Sequence, residues 1–268
     1  MDDIKTNDEL LAKGITPDIS CDLFSEDGWQ RTSVCVPGEM ALTVYINSQE
    51  LVTIMCTPAK LNPLVVGFLY SEGIIKSVED IASMRVCEEE SLADVKLKTS
   101  EFKLPAKRTL TSGCGGGTAF VSQAQKVSSD LVVAPAEIFS LMKQLGEQSE
   151  LYRLCGGVHT SALADNKNLL VVAEDIGRHN TLDRIQGECL LRGLSTKDRL
   201  LLSTGRLSSE MLLKAARMET PVVVSRSSPT NRAISLADKL GITVVGYARA
   251  SRLSVYAHPE RIVPVQSY

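Results

Sequence analysis

The chain has 268 residues, 44% hydrophobic but only 4% aromatic, with 29 basic residues against 32 acidic ones and a formal net charge of −3. So much apolar residue excludes a disordered or fibrous chain and predicts an aliphatic core, in one large domain or two unequal ones. The absence of a basic excess argues against a partner such as long nucleic acid. Apolar runs such as Leu64–Leu69 and Val222–Val224 are too short to cross a membrane. The opening MDDIKTNDELLAKG lacks the basic and apolar regions of a signal peptide, so a soluble cytoplasmic protein is expected. Its seven cysteines, Cys21, Cys35, Cys56, Cys87, Cys114, Cys155 and Cys189, are never closer than 14 positions. That spacing holds no C-x-x-C or zinc knuckle, and an odd, scattered set reads as reduced thiols, most of them core residues.

Residues 1–30 show no periodicity and are read as a loose lead-in. A small α+β domain is expected over 31–108. Within it, two β-rich runs from Ala41 to Ile54 flank the turn Asn47-Ser48-Gln49-Glu50. A helix follows, with Asn62 as its N-cap, Pro63 in the first turn, Val65, Phe68 and Leu69 inward and Gly73 as its stop. Two short strands span Ala82–Thr99. The glycine-rich run Ser112-Gly113-Cys114-Gly115-Gly116-Gly117-Thr118 marks a break in composition. A helix over 135–148 carries Ile138, Leu141, Met142 and Leu145 on one face.

From residue 168 strands and helices alternate. Strands are expected at Asn168–Ala173, Leu200–Ser203, Pro221–Ser225 and Ile242–Tyr247. Helices are expected after Asn180 (with Leu182, Ile185 and Cys189 inward), at Glu210–Met218 and at Asn231–Leu240. Continuous apolar strands alternating with helices predict an α/β domain over 109–252, its parallel sheet covered on both faces. The segment 253–268 is read as a strand and tail packing back on the small domain.

In a parallel sheet the strand-to-helix loops share one edge, where ligands bind. Four such loops carry a common chemistry. They offer Arg178 and His179; Thr204, Gly205 and Arg206; Ser225, Arg226, Ser227 and Ser228; and Arg249, Ser251 and Arg252. Arginines with small hydroxyls at helix N-termini suit a ligand with several phosphates, the alternative being ordinary solvated loops. Neither G-x-x-x-x-G-K-[ST] nor G-x-G-x-x-G occurs. Cys114 is the candidate nucleophile: glycines leave it exposed, and their N–H groups can favour the thiolate. Cys155, in Cys155-Gly156-Gly157-Val158-His159, reads better as a half-buried packing residue. His159 is either a base assisting a thiol or a hydrogen-bonded core residue. His179, clustered with Glu174, Asp175 and Arg178, reads as functional, and His258 before Pro259 as a turn residue. Cys114, Cys155 and His159 could in principle hold zinc, but the zinc deaminases need H-x-E and P-C-x-x-C, which are missing, so no metal is expected.

Several of these motifs occur together and in order: Val66-Gly67-Phe68-Leu69-Tyr70-Ser71-Glu72-Gly73-Ile74-Ile75, Ser112-Gly113-Cys114-Gly115, Glu174-Asp175-Ile176-Gly177-Arg178-His179, Ser208-Ser209-Glu210-Met211 and Tyr256-Ala257-His258-Pro259. The set resembles the formate dehydrogenase accessory sulfurtransferase family (the FdhD type) from about Glu39 to His258. The resemblance implies a cytidine-deaminase-like three-layer fold without zinc and a homodimer. It implies a sulfur carrier that takes sulfur from a cysteine desulfurase as a persulfide on Cys114. The acceptor would be the molybdenum cofactor of formate dehydrogenase, molybdenum bis(molybdopterin guanine dinucleotide). The matching cofactor segment is Tyr247-Ala248-Arg249-Ala250-Ser251-Arg252, joined by Arg178, His179, Thr204, Arg206, Ser225 and Arg226. Many relatives carry C-G-x-C in the glycine loop where this chain has Gly117. A mechanism with two loop cysteines is therefore not expected, and resolution by Cys155 or a partner's cysteine stays open. A cofactor-binding chaperone and a cysteine hydrolase are the alternative functions.

Overall fold

The structure, a computed structural model, describes residues 6–99, 109–110, 118–119 and 125–263. The chain opens with α1 (Asn7–Ala12), where Thr6 and Glu9 form a reciprocal capping box. It continues into a two-stranded hairpin of β1 (Ile15–Ser25) and β2 (Gly28–Pro37). This corrects the reading of residues 1–30 as loose. Past its base the hairpin is largely exposed on both faces, so its residues carry no inside–outside alternation that a sequence pattern could reveal.

The first compact unit is a four-stranded sheet in the order β4-β3-β6-β5, made of β3 (Met40–Ile46), β4 (Gln49–Cys56), β5 (Ile81–Cys87) and β6 (Leu92–Leu97). The β3–β4 turn places Asn47 and Ser48 both at positive φ, as a tight hairpin with right-twisted strands requires. Against this sheet lies α2 (Leu61–Ser71), burying Leu61, Leu64, Val65, Phe68 and Leu69. The N-cap is the left-handed Lys60 rather than Asn62, because the carbonyls of Ala59 and Lys60 are turned onto the guanidinium of Arg184. Gly73, at φ +73°, ends the helix as expected.

Two short strands, β7 (Thr109–Leu110) and β8 (Thr118–Ala119), pair with each other. Residues 111–117, with Cys114, lie outside the described residues. The chain continues through α3 (Pro135–Gln148), α4 (Glu150–Cys155), β9 (His159–Ala164), β10 (Leu169–Asp175), α5 (Arg178–Arg192), β11 (Leu200–Ser203), α6 (Ser209–Arg217), β12 (Val222–Ser225), α7 (Asn231–Leu240), β13 (Thr243–Arg249) and β14 (Arg252–Ala257). The sheet order is β10-β9-β11-β12-β13-β14. Along β11 and β12 the side chains alternate between faces. Leu201 and Val223 join the core under α5, α6 and α7; Leu200, Leu202, Val222 and Val224 join the core under α3. The result is an α/β protein with helices on both faces of a mixed sheet.

Three further expectations change. The sheet is not all parallel: β9 and β14 run against β10, β11, β12 and β13. β9 was not anticipated, because its small residues Thr160, Ser161 and Ala162 show none of the bulk or alternation that announces a strand. Nor is Ala248–Arg252 a strand-to-helix loop, since β13 runs on to Arg249 and reverses directly into β14. Finally, residues 252–257 do not return to the small unit; their hydrogen bonds to β13 make them the edge of the large sheet, and Ile262 bridges to Val133 beside them.

The two units meet where α2 crosses α5. A Cβ on Gly67 would lie 1.7 Å from the carbonyl oxygen of Asp183, and one on Gly187 would lie 1.9 Å from that of Pro63. The helices therefore touch backbone to backbone, which only glycine allows. Buried polar groups lock the same junction. Arg184 donates to Asp175 Oδ2 from Nε at 2.8 Å and from Nη2 at 2.6 Å, and also to the carbonyl of Thr57. Asp183 accepts from Ser71 at 2.7 Å and pairs with Lys214 at 2.6 Å.

Candidate functional site

The C-terminal ends of β10, β11, β12 and β13 share one edge with the starts of the antiparallel β9 and β14. Backbone hydrogen bonds lace the loops leaving this edge: Thr204 N–H to Thr160 O, Arg226 N–H to Ser203 O, Leu207 N–H to Ser228 O and Tyr247 N–H to Ser227 O. The edge is thus a continuous rigid surface, suited to presenting side chains at fixed positions.

Its centre is a close approach. Gly205 is closely approached: a Cβ there would stand 3.1 Å from Arg178 Cβ and 3.3 Å from His159 Nδ1. Arg178 and His179 open α5, and His159 opens β9, directly paired with Asp175. Three distant segments therefore converge on Gly205. Arg206, Arg226, Arg249 and Arg252 are exposed around them, and Arg249 is aimed by its hydrogen bond to the carbonyl of Arg226.

His179 Nε2 sits 3.1 Å from Ser208 Oγ and 3.2 Å from Glu210 Oε2. Burial pushes this imidazole down to about 3, helped by Arg178, Lys214, His159 and Arg206. A ring held so low is neutral at physiological pH and a weak base, so its work is to orient and hydrogen-bond. His159 is lowered too, by burial first and Arg178 second, with Asp175 opposing. Glu210 moves the other way: burial raises its carboxyl against the pull of Lys214 and Arg178.

The sequence candidates divide by where the structure puts them. Arg178, His179, His159, Arg206, Arg226 and Arg249 come together at this edge. Tyr247, Ala250, Ser251 and Arg252 belong to the β13–β14 turn, where Tyr247 and Ala250 take positive φ and Tyr247 is 45% exposed. Beside them is a cleft of about 580 Å³ lined by Arg249, Arg252, Leu253 and Tyr256, large enough for a small ligand. Two candidates point inward. Ala248 lies in the core under α3, and Ser225 is fully buried, donating to Gly205 O and accepting from Ser227 N–H. Thr204 is half-buried and caps β9, its Oγ1 accepting from Thr160 N–H. These three shape the edge from within. Cys155 packs on Leu151 and Val158, and burial raises its thiol.

The sequence reading missed Gly205 as the point of convergence, and Ser208 and Glu210 as the partners of His179. The signal was present in the run Ser208-Ser209-Glu210-Met211, whose spacing also makes Ser208 the N-cap of α6. Glu174 and Asp175 likewise prove to be supports. Glu174 accepts from Leu151 and Tyr152 N–H at the start of α4 and from Thr160 Oγ1; Asp175 accepts from Gly177 N–H, Asn180, Arg184 and Thr57 N–H. Among the described residues no cluster of three or more His, Cys, Asp or Glu side chains could hold a metal ion, and no helix is long and apolar enough to cross a membrane.

Residues 37–263 match the model of the FdhD/NarQ family. The chain belongs to that family. It is 41% identical over 232 residues to the sulfur carrier protein FdhD of Bacillus subtilis, covering 84% of this chain and 88% of that one. It is 42% identical over 233 residues to the protein of the same name from Geobacillus kaustophilus, covering 84% and 89%. A crystal structure described as a formate dehydrogenase accessory protein from Desulfotalea psychrophila superposes with a TM-score of 0.78 at 29% identity, covering 92% of this chain and 98% of that one. Family membership thus extends over both sheets and the arginine-lined edge, and the matched segment begins where the N-terminal hairpin ends.

Proposed function

We propose that this protein is a sulfur carrier serving formate dehydrogenase. The observation that carries the reading is 41% identity to a sulfur carrier over 84% of the chain. Cys114 is the carrier atom in this reading. Its thiolate attacks the outer sulfur of a persulfide on a cysteine desulfurase; the S–S bond breaks, the desulfurase keeps its thiolate, and Cys114 holds the sulfur as a persulfide with no net oxidation. The acceptor is the molybdenum cofactor in its bis-guanine-dinucleotide form, bound as substrate. Residues suited to it are present. Arg206, Arg226, Arg249 and Arg252 would meet phosphate oxygens, the exposed Tyr247 offers a ring for a guanine base, and the rigid lacing of the loops holds both in place. His159 and His179, neutral beside Arg178, would orient the sulfur and its acceptor. The layered sheet is assigned to the cytidine-deaminase-like class, and the working unit to a dimer of two copies.

The test is mass measurement after incubation with a cysteine desulfurase and cysteine. A gain of one sulfur mapping to Cys114, absent in Cys114→Ala, is the expected result. No gain at Cys114, with guanosine diphosphate still bound at the arginine edge, would turn the reading into a cofactor-binding chaperone.

A further inference from the structure

The hairpin of β1 and β2 pairs with no other strand among the described residues and is anchored only at its base, where Ile15 and Cys35 pack near Leu10, Leu151 and Val158. From base to tip β1 has eleven residues, about 36 Å at ~3.3 Å per residue. A two-stranded ribbon standing alone is marginal in water, and this one is not polar. Phe24 and Trp29 face each other at its tip with ring centroids 5.1 Å apart, 66% and 75% exposed. Ile19, Leu23 and Val34 are exposed on the opposite face. Asp18, Asp22, Glu26 and Asp27 against Arg31 make the ribbon acidic. Such a surface marks a contact with something else.

A receptor for it lies on the same chain. β10 is an edge strand of the large sheet, and five consecutive residues, Leu170 to Glu174, line a groove of about 380 Å³. Consecutive residues of a strand leave on opposite faces, as Val171 and Val172 do here, and a register shift turns Leu170 to the same core as Val171, so a groove that all five line takes in the strand's edge. Its other lining includes Lys13 paired with Glu150 at 2.9 Å, Arg192 paired with Glu188 at 3.6 Å, and the exposed Lys60. The groove therefore offers a backbone edge unpaired among the described residues, an apolar wall and the exposed Lys60, which suits an apolar strand whose tip carries Glu26 and Asp27. The other edge strand, β14, is less regular, with two register shifts against β13 where β10 has one against β9.

We infer that the hairpin of one copy docks in the β10 groove of a second copy, adding a strand to its sheet and seating the Phe24–Trp29 tip beside Lys60. Ala12 and Lys13, on the groove rim, immediately precede the hairpin. Groove and arm are thus neighbours on one surface, and a two-fold axis satisfies both copies at once by reciprocal exchange. The inference rests on the two-copy assembly proposed above and names its contact.

Trp29 is the chain's single tryptophan, so its emission reports docking without a label. Sedimentation and tryptophan emission would be followed together as concentration rises, in the wild type, in Phe24→Ser at the exposed tip and in Lys60→Glu on the groove. The expected result is a dimer whose formation shifts the emission to shorter wavelength, with each variant weakening association at least tenfold. Zero-length coupling in a ¹⁴N/¹⁵N mixture should join Asp22, Glu26 or Asp27 of one copy to Lys13 or Lys60 of the other. A dimer unaltered by both variants, with Trp29 still solvent-exposed, would overturn the arm contact and leave the assembly standing. A monomer at every concentration would overturn both.

Discussion

Burial and the neighbouring charges of Arg178, Lys214 and Arg206 keep His179 neutral, and this has a measurable consequence for stability. The unfolded chain takes up a proton on this ring as pH falls through ~6.5, whereas the folded chain resists down to about 3. Its contribution is therefore fully present above the unfolded value and declines across that window, by at most about 1.4 kcal/mol per pH unit. Denaturant titrations between pH 7 and 4 should show a shallower decline in His179→Gln, and NMR should find the His179 ring neutral throughout. Arg184 is the opposite case, a charge whose task is structural. Removing it strands the fully buried Asp175 without its ion partner, so Arg184→Ala should cost about 3–5 kcal/mol in chemical unfolding. By contrast Arg206→Ala and Arg226→Ala, both at exposed positions, should leave stability unchanged. Each should weaken guanosine diphosphate about tenfold by calorimetry at fixed salt.

Between elements, the contact that positions the site is the crossing of α2 and α5. α5 begins with Arg178 and His179 and, two turns later, meets α2 at Gly187. A methyl group at either glycine must push the helices apart, so Gly67→Ala and Gly187→Ala should each destabilise by about 3 kcal/mol or more. Thermal unfolding checks the size of the loss. The same displacement would carry Arg178 away from Gly205, so nucleotide affinity should fall in these variants at temperatures where they remain folded. The helices themselves were readable. The face of Ile138, Leu141, Met142 and Leu145 predicts 135–148, and the alternation of strands and helices places 231–240, because such patterns are local properties. The hairpin of β1 and β2 was not, since an arm with little buried surface leaves no pattern.

At the scale of the whole molecule, the two compact units are joined by packed glycines and by buried hydrogen bonds, from Ser71 to Asp183, from Thr57 N–H to Asp175 and from Arg184 to the carbonyls of Thr57, Ala59 and Lys60, and they should unfold in one cooperative calorimetric transition. Composition alone implied an aliphatic core, and local pattern located most strands and helices and collected the arginines into loops. The motifs also carried the family, from Glu39 to His258. Those properties are readable because propensity, capping and side-chain chemistry act over a few residues. The direction of β9, the reversal at Ala250, the inward turn of Ser225 and Ala248, and the pairing of Asp175 with Arg184 and Thr57 were decided only in the tertiary structure. Each depends on which distant segment supplies the neighbouring strand, the facing core or the compensating charge, and no local stretch of sequence contains that partner.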